Sequence, residues 1–157
     1  MKIKNFVFLL VLFTIFTAQV EAETRVKALK GQTVYVPAYS HIYIGNKETP
    51  YLLAITLSIR NIDLSNPITI TEVSYYETQG KFLKNFIEDP IELVPLSSTR
   101  YIISQKDTAG GSGANFIVKW KAKEKSNPPI IETVMIGTQS QQGISFTSRG
   151  EPISEAD

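Results

Sequence analysis

Apolar and polar residues alternate with a period of two in the two clearest segments of the chain. In residues 53–60, Leu53, Ile55, Leu57 and Ile59 stand against Ala54, Thr56, Ser58 and Arg60. In residues 116–123, Phe116, Val118, Trp120 and Ala122 stand against Ile117, Lys119, Lys121 and Lys123. Side chains along a strand point to opposite faces in turn, so each segment predicts a strand with one buried face and one wet face. The lysines at 119, 121, 123 and 125 read as a solvated strand face that discourages edge-to-edge aggregation. Residues 68–76 change phase: Ile68 and Ile70 share one parity, Val73 and Tyr75 the other. A bulge near Thr71 and Glu72 would bring both pairs to one face.

Turn signals separate these runs at short intervals. They include Gly31, the stretch 45–50, Asn66-Pro67, Gly80, Pro90, Pro95, the glycines of 110–113, Pro128-Pro129, Gly143 and Gly150. Residues 75–82 read as a hairpin in which Gly80 supplies a positive φ. Residues 82–87 also fit two turns of amphipathic helix, but their position after a hairpin turn favours strand. Further strands are expected near 91–96, 99–104, 130–137 and 144–148. No long segment has helical periodicity, and there is no internal repeat or low-complexity linker. Many short strands at this spacing predict an all-β, immunoglobulin-like antiparallel β-sandwich of about seven to nine strands. Residues 31–150 would form that single domain, 23–30 a lead-in, and 151–157 a short polar tail expected to be loose.

The first 22 residues predict export. Lys2 and Lys4 precede a mostly apolar run from Phe6 to Ala18, and Val20-Glu21-Ala22 offers small residues where a signal peptidase reads. Cleavage is expected after Ala22. The apolar run is shorter than the roughly 20 residues a spanning helix needs, which disfavours an uncleaved anchor. Removing 1–22 takes away Lys2, Lys4 and Glu21 and leaves equal numbers of basic and acidic residues. That balance lacks the footprint of a nucleic-acid binder and of a polybasic membrane segment. With no cysteine, the chain has no disulfide scaffold, thiol nucleophile, thiolate metal site or lipid-bearing cysteine. His41 is the single histidine, so one chain holds no multi-histidine metal site. Glu88, Asp89 and Asp107 offer oxygen ligands without calcium-loop spacing. No metal or cofactor is expected. Together these features point to a periplasmic or secreted bacterial protein.

Residues 31–43, with Gly31-Gln32-Thr33-Val34-Tyr35-Val36-Pro37 at their start, are joined by residues 57–61, 107–116 and 135–146 in a wider resemblance. Together they resemble a family of small exported bacterial proteins classed as a domain of unknown function. The likeness runs from about Gly31 to Gly150. It implies an exported single domain, and it assigns no activity, ligand, partner or functional residue.

Three segments carry candidate binding chemistry. Tyr35, Tyr39, His41 and Tyr43 share one strand parity, while Val34, Val36, Ile42 and Ile44 share the other. If the phase holds, an aromatic and imidazole stripe lies opposite an aliphatic face, and such rings serve sugar stacking and protein hot spots. Pro37 argues for an edge strand, because it cannot donate to a ladder. Packing of the rings under a neighbouring loop is the competing account. The second segment is the loop at 107–115, with Asp107, Ser112 and Asn115, whose glycines would let backbone N–H groups approach an anion. It matches neither the dinucleotide nor the phosphate-loop pattern, and a β-connection in which Asp107 and Asn115 bond local backbone accounts for it equally. The third is the polar run with Gln139, Gln141 and Gln142, able to bond a sugar or a peptide backbone, or simply a solvated hairpin.

Ser112, His41 and Asp107 contain the components of a hydrolase triad, although Gly110-Gly111-Ser112-Gly113 misses the nucleophile-elbow pattern and no helix follows it. The expectation is therefore a non-catalytic binding or interaction module of the cell envelope. Its partner would be an envelope protein or a small polar ligand, met where the three segments converge. The alternatives are a small periplasmic hydrolase using Ser112 and His41, or a purely structural envelope protein.

Overall fold

The computed structural model describes residues 27–139 and 141–156. The predicted signal segment and its cleavage site after Ala22 lie outside them. Twelve strands and no helix occur among the described residues. They are β1 (Leu29–Pro37), β2 (His41–Tyr43), β3 (Pro50–Leu52), β4 (Ala54–Arg60), β5 (Ile68–Tyr76) and β6 (Phe82–Asn85). The remainder are β7 (Ile91–Leu93), β8 (Ser98–Ile103), β9 (Asn115–Ser126), β10 (Ile130–Gln139), β11 (Gln142–Arg149) and β12 (Glu151–Ala156).

One antiparallel sheet runs β12-β1-β9-β5-β6, with β7 also on β5; the second runs β11-β10-β4-β8; β2 and β3 form a separate ribbon. The predicted all-β antiparallel sandwich is the architecture. The strand number exceeds the expectation because the β2–β3 ribbon and β12 add to the strands the pattern predicted. Alternation builds the core as the pattern required: Leu53, Ile55, Leu57 and Ile59 are all completely buried. They meet Val36, Val73, Phe116 and Val118 of the opposing sheet, and Met135 and Ile103 of their own. Full burial of each such side chain stabilises by about 1.5–3 kcal/mol.

The phase change in β5 is a bulge, since its register with β9 slips between Ile70 and Glu72. That slip returns Val73 and Tyr75 to the face shared by Ile68 and Ile70, all of them buried. Gly80 closes the β5–β6 hairpin at φ 84°. Strand β7 is shorter than expected because the chain turns at Leu96, φ 61°, with Ser97 N–H donating to Val94 O.

Two expectations are corrected. Residues 151–156 are not a loose tail but strand β12, paired with β1 from Tyr35 opposite Glu151 to Gly31 opposite Ala156. Consequently β1 is an interior strand, held by β9 on its other side, and Pro37 does not mark an edge. Pro37 stands past the last β12 pairing and ends the strand, which is the position a residue without N–H tolerates.

Candidate functional site

Beyond Pro37 the predicted two-face pattern breaks. Ala38 and Ser40 still point inward, but Ile44 is exposed and Ile42 only half-buried. Ser40 fixes where the next strand starts. Its N–H donates to Gly111 O at 2.9 Å, and its carbonyl accepts from Leu53 N at 2.8 Å. Its hydroxyl lies 3.2 Å from the Tyr75 hydroxyl inside the fold. The Tyr75 ring packs on Phe116 at 4.8 Å, and its hydroxyl reaches the floor of the glycine loop. A Cβ on Gly110 would collide with that oxygen, so this position needs glycine. Burial pushes the Tyr75 phenol pKa up, the Ser40 hydrogen bond opposes this, and the charge of Asp107 adds to the rise.

Thr78, in the β5–β6 turn, clamps the same loop. Its N–H and its hydroxyl both donate to Gly110 O, at 2.9 and 3.0 Å, and its hydroxyl accepts from Gly113 N at 3.0 Å. Asp107 Oδ1 accepts from Ala109 N at 3.1 Å, and Gly111 N donates to Thr108 O at 3.2 Å. The loop's N–H groups at 109, 111 and 113 are thus engaged internally instead of being presented to an anion. Its role in the site is to hold Ser112 in place.

Between the loop, the β5–β6 turn and β2 lies a hollow of about 290 Å³ lined by His41, Tyr43, Thr78, Gln79 and Ser112, with Glu77 at its side. His41 Nε2 is 3.3 Å from the Tyr43 hydroxyl, and the two rings meet edge to face at 5.3 Å. Tyr43 remains 51% exposed, so about half of its surface is available to another molecule. Glu77 is held by accepting from Gln79 N and Lys81 N, both at 3.1 Å. A triad needs the imidazole between serine and carboxylate. His41 instead bonds Tyr43, and Asp107 caps its own loop, so that arrangement is not formed among the described residues.

The other predicted residues lie apart from this hollow. Tyr39 is half-buried with its ring edge to face on Phe146 of β11 at 5.7 Å, which makes it part of the core margin. Asn115 starts β9, paired with Pro37 and Tyr76. Gln139 and Gln142 line a second, separate hollow of about 200 Å³ with Ile44 and Tyr51. Gln141 is exposed in the hairpin turn at φ 66°. That hairpin is bolted to β3 by Tyr51, whose hydroxyl lies 3.1 Å from Gly137 O and 2.8 Å from Gln142 O.

Thr78, Gln79 and Tyr51 went unmarked in the sequence. The hairpin turn containing Thr78 was legible, but its position over Gly110 depends on the pairing of Tyr76 with Asn115, far along the chain. No group of three or more His, Asp or Glu side chains among the described residues is arranged to hold a metal ion.

Residues 31–153 match the family model DUF3124, described as a protein of unknown function. No curated protein sequence matches the chain. A solved crystal structure, Thermotoga maritima 1070, is similar at 12% identity and a TM-score of 0.44, covering 80% of this chain and 97% of its own.

Proposed function

The chain belongs to the DUF3124 family of proteins of unknown function, and from that premise we propose that it is an exported, non-catalytic binding module of the bacterial cell envelope. Its binding surface is the hollow formed by His41, Tyr43, Thr78, Gln79 and Ser112. One observation carries the reading: Tyr43 stands half-exposed beside polar groups and a loop that Thr78, Ser40 and Asp107 hold by hydrogen bonds. A preformed polar and aromatic surface binds without a large ordering cost. Amphipathic rings with a polar tip suit either a protein hot spot or a polar ligand. The predicted signal segment supports the compartment.

The test is affinity capture from envelope extract with the protein and with its His41→Ala/Tyr43→Ala double variant. The reading expects at least one species enriched by the first and lost by the second. Equal capture by both forms would remove this hollow from the binding surface.

A further inference from the structure

At the other end of the sandwich the chain crosses from the second sheet to the first at Gly150. Its N–H donates to Ile131 O at 2.8 Å, and a Cβ there would stand 2.7 Å from the Val34 side chain. The tight crossing leaves beside it a hollow of about 320 Å³, the size at which small-molecule sites begin. Its floor and walls are apolar, formed by Val34, Ile62 and Ile131 with Pro128, Pro129 and Pro152. Three prolines with fixed φ make the walls stiff, so little ordering is needed on binding.

The polar groups at this hollow are few and of opposite sign. Arg149 and Glu151, on either side of Gly150, both line it. Neither takes part in an ion pair among the described residues, in contrast to Lys119 with Glu72 or Lys27 with Glu155. Gln32, 7% exposed, also lines it, and its Oε1 accepts from the indole N–H of Trp120 at 3.3 Å. A guanidinium recognises a carboxylate, and a carboxylate recognises an ammonium, through charge-assisted hydrogen bonds. An apolar floor beneath such a pair fits a zwitterion with an aliphatic arm.

We propose that this hollow binds a free aliphatic α-amino acid, its carboxylate at Arg149, its ammonium at Glu151 and its side chain on the apolar floor. The site lies away from the His41 surface and does not depend on the reading given for it.

The single tryptophan supplies the probe, because its indole N–H reports on Gln32. The purified protein is titrated with L-leucine while the indole resonance is followed by NMR. The proposal expects a saturable shift at millimolar ligand. It also expects about tenfold weaker binding of 4-methylpentanoate, which lacks the ammonium, and of 3-methylbutylamine, which lacks the carboxylate. Arg149→Gln would weaken leucine about tenfold and leave 3-methylbutylamine unchanged; Glu151→Gln would weaken leucine similarly and leave 4-methylpentanoate unchanged. Both side chains are exposed, and an unshifted indole resonance before ligand addition shows that each variant has kept its fold. No shift with leucine, equal binding of all three compounds, or unchanged leucine affinity in both variants would overturn the proposal.

Discussion

The loop at residues 61–66 and the loop at 107–113 are both rich in turn-forming polar or glycine residues, and each closes one end of the sandwich. In the first, the two buried polar side chains, Asn61 and Asp63, are both spent on holding the chain. Asp63 Oδ1 accepts from Ser65 N at 2.9 Å and Asn66 N at 2.8 Å, and Oδ2 accepts from Asn127 N at 2.8 Å. Buried Asn61 accepts from Asp63 N and donates to Asn66 O and Leu93 O, each at 3.0 Å. In the second loop the holding groups are the Thr78 hydroxyl and N–H, the Ser40 N–H and the Asp107 carboxylate. Ser112, His41 and Tyr43 are then left at the surface of a hollow. The lesson is that polar loop composition alone does not mark a site. What matters is which polar side chains remain at the surface once the loop's own hydrogen bonds are made.

The largest effect bearing on this contrast is expected at Gly110. Gly110→Ala forces a methyl into the buried Tyr75 hydroxyl and should destabilise by about 3 kcal/mol, read by denaturant unfolding. Gly143→Ala, which meets nothing within 4 Å, should change stability by under about 0.5 kcal/mol. Equal effects at the two glycines would mean that the loop is not a tight clamp.

Asp63→Asn comes next. An amide puts an N–H donor where the carboxylate accepted from backbone N–H, so a loss of about 2 kcal/mol at neutral pH is expected in the same assay. The native carboxyl is held at about 2, below its ordinary 3.8, chiefly by the Asn127 N–H and then by those of Ser65 and Asn66, with burial opposing. A depressed folded pKa gives stability that is fully present above the unfolded value and is lost as protons bind the native carboxylate. The native protein should therefore lose this contribution between about pH 4 and pH 2, and the Asp63→Asn variant should not show that part of the acid loss. Tyr51→Phe, removing the bolt between β3 and the β10–β11 hairpin, should cost about 1 kcal/mol by thermal or denaturant unfolding. The smallest stability effect, under about 0.5 kcal/mol, is expected for His41→Ala/Tyr43→Ala, because neither side chain holds the fold.

Much of the sandwich was legible because burial imposes a period on the sequence. The alternation in β4, the bulge in β5 and the glycine of the β5–β6 turn are local signals with local causes. Strand β12 was not legible: its six residues are all exposed, so it is held by backbone pairing to β1 without an apolar face to announce it. The aromatic stripe was half legible. His41 and Tyr43 do reach a common hollow with Ser112, but the turn after Pro37 sends Tyr39 to Phe146 instead. Asp63 shows the same limit, since its bonds to Ser65 and Asn66 follow from adjacent residues while its bond to Asn127 spans 64 positions.

On the proposed function, a macromolecular partner is met at the His41 end of the sandwich and not at the Asp63 end. Site-specific photo-cross-linking in growing cells separates the two ends, with the photoreactive residue placed at Tyr43 in one strain and at Leu64 in another. Both positions are exposed, at 51% and 76%, so both variants should fold and both probes should be accessible. A discrete adduct is expected from position 43 and none from position 64. An adduct from position 64 with none from position 43 would assign the binding surface to the wrong end and overturn the proposed function.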